Sequence, residues 1–277
     1  MIKIFVDSGS SIKEYEKEKY GVEILPLKIS LGENNYTDGV DIPFDVFYHA
    51  LIDEKIFPKT SLPALAEAEE RIKRELQAGY EVLVLPISSG ISGTYNSLRM
   101  LFADEPRVAV VDTKTAVGGV KILVNEANKM LDKPLSEVVA ALLELIPRIT
   151  VIAIPETLDY LQRGGRLSKA AWLFGSILQI KPLITLSSID GRVGVIGKER
   201  GLRRAMEALC ESLKKYDCDT SHPIVPSYTY RSNNLDTLIG MTDEKYKSAM
   251  IDYDNLTPAI AGHWGPNAFG YIFVSGK

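Results

Sequence analysis

Through the first 150 residues, short continuous apolar runs alternate with stretches whose apolar positions recur every three or four residues. Residues 2–6, 24–29, 82–86 and 108–111 are strand-like runs of the kind that a sheet covered on both faces requires. Between them, 64–78 are rich in Ala, Glu, Leu and Arg and close at Gly79, as a capped helix does. Further helices are predicted over 94–102, 116–130 and 135–146, with polar turns at Asp7-Ser8-Gly9-Ser10 and Gly32-Glu33-Asn34-Asn35. Strands alternating with helices predict a parallel sheet flanked by helices.

The texture changes after residue 150. Residues 151–154 read as a strand, and Pro155 and Glu156 begin a helix ending at Gly164-Gly165. The run 181–197 holds two strands about Asp190-Gly191, a dipeptide suited to a tight hairpin. A helix over 198–215 follows, then strands over 224–230, 248–252, 257–263 and 270–275. The pattern predicts two α/β domains. Residues 1–150 form the first, with a mostly parallel sheet; residues 151–277 form the second, with a mostly antiparallel sheet and helices.

Composition narrows the function classes. The 277 residues are 45% hydrophobic and 25% charged, the balance of an ordinary globular chain. A formal charge of -4 lacks the basic field that nucleic-acid binders use to replace counterions, so no nucleic-acid partner is expected. No run approaches the roughly 18 apolar residues of a membrane helix. Residues 4–6 are too short for a signal peptide's apolar region, so a cytoplasmic protein without an integral membrane segment is expected. Cys210 and Cys218 are then expected to be reduced, and the sequons at Asn35 and Asn255 unused.

The segment with most chemistry is Ser88-Ser89-Gly90-Ile91-Ser92-Gly93-Thr94-Tyr95-Asn96-Ser97, between a predicted strand and a helix. Hydroxyls and helix N-terminal amides at the carboxyl end of a parallel sheet suit an anionic oxygen, although Ser and Thr also serve there simply as caps. Gly90-Ile91-Ser92-Gly93-Thr94 misses the G-x-S-x-G nucleophile elbow only at Thr94, and His263 is the plausible base. A serine hydrolase or acyltransferase using Ser92 and His263 is therefore the alternative reading. Thr60-Ser61-Leu62-Pro63-Ala64 reads by itself as a helix cap with proline in the first turn. Arg163-Gly164-Gly165-Arg166 is a helix end whose guanidinium groups also suit a carboxylate, a phosphate or a partner. Neither G-x-G-x-x-G nor the P-loop pattern is present, and no His/Cys cluster has metal spacing, so no metal or cofactor is expected.

Taken in order, Asp7-Ser8, Thr60-Ser61, the serine-rich loop, Leu161-Gln162-Arg163-Gly164-Gly165-Arg166-Leu167-Ser168 and His263-Trp264-Gly265-Pro266 resemble the DegV family of bacterial fatty-acid-binding proteins across essentially the whole chain. The resemblance implies that one long-chain fatty acid, such as palmitate, stearate or oleate, lies in a tunnel between two domains. It implies that the carboxylate is held by Thr60, Ser92 and His263, with Ser61, Ser89 and Gly93 beside them. It also implies that an ATP-dependent fatty acid kinase subunit makes the acyl phosphate, that Arg166 serves that step, and that this chain is not itself the catalyst. A third reading is a regulatory binding module merely stabilised by lipid. Two departures from the family pattern stand out: Leu62-Pro63-Ala64 replaces a polar continuation, and Asn267 replaces a glycine, at a position where Asn tolerates left-handed backbone.

Overall fold

The computed structural model describes residues 1–168, 180–251 and 253–276. The predicted mixture of parallel and antiparallel sheets is present. Strands β1 (Ile2–Asp7), β2 (Val22–Leu25), β3 (Lys28–Leu31), β4 (Asn34–Thr37), β5 (Lys59–Ser61), β6 (Glu81–Leu85) and β7 (Val108–Val110) come from the first half. Strands β8 (Ile149–Ile154), β9 (Ile180–Leu186), β10 (Val193–Arg200), β11 (Val225–Tyr228), β12 (Asp254–Asn255) and β13 (Phe269–Val274) come from the second.

The first sheet has order β2-β1-β6-β7 and is parallel throughout, pairing Ile4 with Val22 and Val84 with Val110. Its two faces are covered separately. Phe5, Val82 and Val84 meet Ile72, Leu76 and Leu98 from helices Leu65–Gln77 and Thr94–Leu101. Ile4, Val6, Leu83 and Leu85 meet helices Gly118–Asn128 and Leu135–Leu145. The second sheet, β10-β9-β8-β13-β11-β12, is antiparallel except where β11 pairs with β12. Along β8, Val151 and Ala153 turn to the same helices while Ile152 and Ile154 turn to the opposite core, the two-residue alternation of a strand. That opposite core is filled by Ala205, Leu209 and Leu213 of helix Leu202–Lys215. The helical layer Gly118–Asn128 and Leu135–Leu145 is therefore shared by both sheets. This is why Gly118–Asn128 is buried over most of its length, with Asn125, Glu126 and Asn128 left partly exposed near its end.

Several local expectations fail for identifiable reasons. The run 24–29 is two strands, because Pro26 lacks the amide a ladder needs and the chain changes sheets there. β3 instead centres a small antiparallel sheet, β4-β3-β5. Residues 257–263, predicted as a strand, lie in helix Pro258–Trp264, with Pro258 at its first position. No local side chain caps it; Asp38 Oδ1, distant in sequence, accepts from Ala259 N at 3.0 Å. The helix expected from Glu156 starts at Asp159, after Thr157 Oγ1 accepts from Asp159 N. β10 runs to Arg200, so the next helix begins at Leu202 rather than 198. Asp190-Gly191 lies within a longer connection, residues 187–192, instead of a two-residue turn. Of the strand expected over 248–252, Met250 makes one isolated parallel bridge to Ile224, and residue 252 lies outside the described residues. Cys210 and Cys218 are free.

Candidate functional site

Beyond the carboxyl ends of β2 and β6, a cavity of about 210 Å³ opens between the two halves of the chain. Its walls are mainly apolar, with Leu27, Leu62 and Ile87 from the first half and Leu161, Val193 and Ile260 from the second. One region is polar and gathers Thr60, Ser61, Ser92, Gly93, Arg166 and His263. Six of the seven residues expected at the site are thus brought together from four separate segments.

Thr60 is a strand residue of β5 instead of a helix cap; the cap position before Leu65 is Ala64, without a side-chain bond. Its Oγ1 lies 2.8 Å from His263 Nε2. Burial, reinforced by the Arg166 cation, pushes the His263 pKa down to about 4, so the imidazole is neutral near pH 7. If Nε2 carries the hydrogen and donates to Thr60, the threonine hydroxyl is left to donate into the cavity. The Nδ1 edge of the ring lies close to Gly164, where an added Cβ would fall 2.3 Å from Nδ1. Gly164 has ordinary helical backbone, so closeness to the imidazole, not conformational freedom, demands glycine there. We expect Gly164→Ala to displace His263 and weaken any carboxylate ligand at least about tenfold, the size of one hydrogen bond to a charged group. Titration calorimetry would check this, with unchanged affinity as the contrary result.

Ser92 Oγ lies 2.9 Å from Thr94 Oγ1, and its amide donates to Ser88 O. Gly93 is the N-cap of helix Thr94–Leu101. Arg166 donates from Nε to Ile91 O at 3.1 Å and from a terminal nitrogen to Gly164 O at 2.5 Å. Its guanidinium therefore ties the serine loop to the Arg163-Gly164-Gly165-Arg166 turn, and burial lowers its pKa. Ser89 is the exception. Its amide and hydroxyl both go to Asp112, away from the cavity. Among the described residues no hydrogen bond joins Ser92 to His263: His263 Nε2 is paired with Thr60 and Ser92 with Thr94.

The loop is held from the second half as well. Ser88 Oγ donates to Gly191 O at 2.9 Å, and a Cβ on Gly90 would meet Asp190 O at 2.3 Å. Asn267 has φ +58° and donates from its side chain to Glu156, so the left-handed turn after Pro266 survives without glycine. Sequence reasoning missed the apolar walls. Only Leu62, noticed as a departure from a polar pattern, carried a local signal; Leu27, Val193 and Ile260 become neighbours solely through the fold. Among the described residues no group of His, Cys, Asp or Glu could hold a metal ion, and no helix is long and apolar enough to cross a membrane.

The DegV family model, that of an uncharacterised protein, matches residues 1–276. A DegV domain-containing protein of Caldanaerobacter subterraneus subsp. tengcongensis is 32% identical over 277 residues, 98% of each chain. A solved fatty-acid-binding DegV protein of Thermus thermophilus shares 29% identity, with a TM-score of 0.85 over 99% of both chains. The fatty-acid-binding DegV protein of Streptococcus agalactiae shares 25% identity, with a TM-score of 0.90 over 100% of this chain and 99% of that one. With its motifs, its fold and a family match over nearly its whole length in agreement, this chain belongs to the DegV family.

Proposed function

We propose that this protein binds one long-chain fatty acid, with its carboxylate at Thr60, Ser61, Ser92, Gly93 and His263 and its tail along the apolar walls. The observation that carries this reading is the Thr60–His263 pair set at one region of an otherwise apolar cavity. A buried carboxylate needs donors, while the tail gains by leaving water. The fatty-acid binding described for the two solved relatives supports the same reading. In this proposal residues 1–150 and 151–277 are the two domains, and the ligand lies between them. Because 210 Å³ is below the roughly 300–1,000 Å³ of small-molecule pockets, a long tail must part the apolar walls.

The protein then acts as carrier rather than catalyst in the cytoplasm, presenting the acid to an ATP-dependent fatty acid kinase subunit. We assign Arg166 to that handover, because its guanidinium joins the serine loop to the turn beside His263. Native mass spectrometry of the purified protein tests the binding. A single adduct of about 250–285 Da, identified as fatty acid after extraction, is expected for a tail whose methylenes supply the affinity. Protein that carries no lipid and ignores added acid would overturn the proposal.

A further inference from the structure

We propose that Asp112 is a positioning residue for the ligand loop, acting through Ser89; this rests on the fatty-acid reading above. Among the residues expected at the site, Ser89 is the one that does not line the cavity. Its amide donates to Asp112 Oδ1 at 3.0 Å and its hydroxyl to Asp112 Oδ2. Lys114 Nζ lies 2.8 Å from the same carboxylate and donates to Ser89 Oγ at 3.3 Å. The three side chains thus form a closed network at the carboxyl ends of β6 and β7, with the Asp112 side chain only 14% exposed.

Two further features give the network a direction. Lys114 has φ +50°, left-handed backbone that is costly for a residue other than Gly or Asn, and that conformation is held where its ammonium meets Asp112. On the other side, Ser88 O accepts from both Ile91 N and Ser92 N, at 3.1 and 3.0 Å. The peptide fixed by Asp112 is therefore the one from which the cavity-facing residues hang. Ile91 in turn supplies the carbonyl that receives Arg166. Neither Asp112 nor Lys114 lines the cavity, so they act on it indirectly, through the backbone of residues 88–93 and, from the Lys114 side chain, against Gly191.

The chemistry predicts an effect confined to the head group. Asp112→Asn removes the charge that accepts from Ser89 and Lys114 and lets the loop shift at Ser92 and Gly93, while the apolar walls stay intact. Affinities for palmitic acid and for 1-hexadecanol, equal in chain but not in head group, separate the two contributions. In Asp112→Asn we expect palmitic acid to bind about tenfold more weakly, one charge-assisted hydrogen bond's worth, with 1-hexadecanol unchanged. Ser89→Ala should shift the two ligands in the same sense. Unchanged affinity for both ligands would overturn the assignment, as would an equal loss for both, which would mark Asp112 as merely structural. Wild-type protein that binds neither ligand would overturn the fatty-acid reading itself.

Discussion

Shortening the ligand from sixteen carbons to eight should weaken binding by between four and five orders of magnitude, from roughly 0.8 kcal/mol for each of about eight lost methylenes. The head-group contacts are the same for both acids, so the difference isolates the apolar walls. Leu27, Leu62, Ile87, Leu161, Val193 and Ile260 contribute no polar side-chain group, and contact with them scales with the length of tail removed from water. Association carries its own entropic cost, which is common to both acids and cancels in the comparison. Competition between the two acids, each below its micelle concentration, measures the ratio. Equal affinity would mean that the cavity holds only the carboxyl end, and the proposal of a buried tail would fail.

The second large effect is on stability against pH, where two buried groups oppose one another. His263 has its folded pKa lowered to about 4 by burial and by Arg166, against an ordinary value of 6.5. The unfolded chain then binds the proton more readily, and stability from this group falls as pH drops from about 6.5 to about 4. Asp7 behaves in the opposite sense. Burial and the neighbouring Asp38 charge raise its pKa to about 7, although Ile87 N and Gly9 N donate to it. Its folded form holds the proton more tightly, so its contribution is fully present below about 4 and lost as pH rises to about 7. Each shift is worth on the order of 3–4 kcal/mol, so in the wild type the two slopes oppose one another across this window, with buried Asp38, its pKa also raised by burial, acting in the same sense as Asp7. His263→Gln should therefore lose stability as pH rises from 4 to 7, and Asp7→Asn should lose it as pH falls. Denaturant midpoints at pH 4.5 and 7 would show this. Parallel profiles for the two variants would remove both assignments. With three histidines in the chain, the His263 titration is also directly observable by NMR.

The same two residues show where local reading stops. Asp7 ends β1 in a recognisable polar turn, but nothing local reveals that its carboxylate spans to Ile87 N, 80 residues on. His263 belongs to a short motif, yet the apolar pattern over 257–263 predicts a strand where the chain forms helix Pro258–Trp264. The helix-forming contribution of Asp38, a cap 221 residues away, is invisible in the sequence around Pro258–Trp264. Thr60 read naturally as a cap because Ser, Thr and Pro favour helix starts; its partner, His263, lies 203 residues distant. Ser89 and Ser92 could not be told apart by type, since the direction of each hydroxyl depends on Asp112 and Thr94.

By itself, the sequence determined what is carried by short-range pattern: the existence and parallel type of β1, β6 and β7, the serine loop between a strand and a helix, and the glycine pair between Arg163 and Arg166. Continuous apolar runs can be satisfied only by burial on both faces, and glycines fit where side chains cannot. The tertiary structure alone decided that the helical layer serves both sheets, that Pro26 turns the chain into a third sheet, and which apolar side chains close the cavity. Those outcomes depend on contacts between segments far apart in the chain, whose pairing is selected by packing and desolvation and leaves no spacing to read.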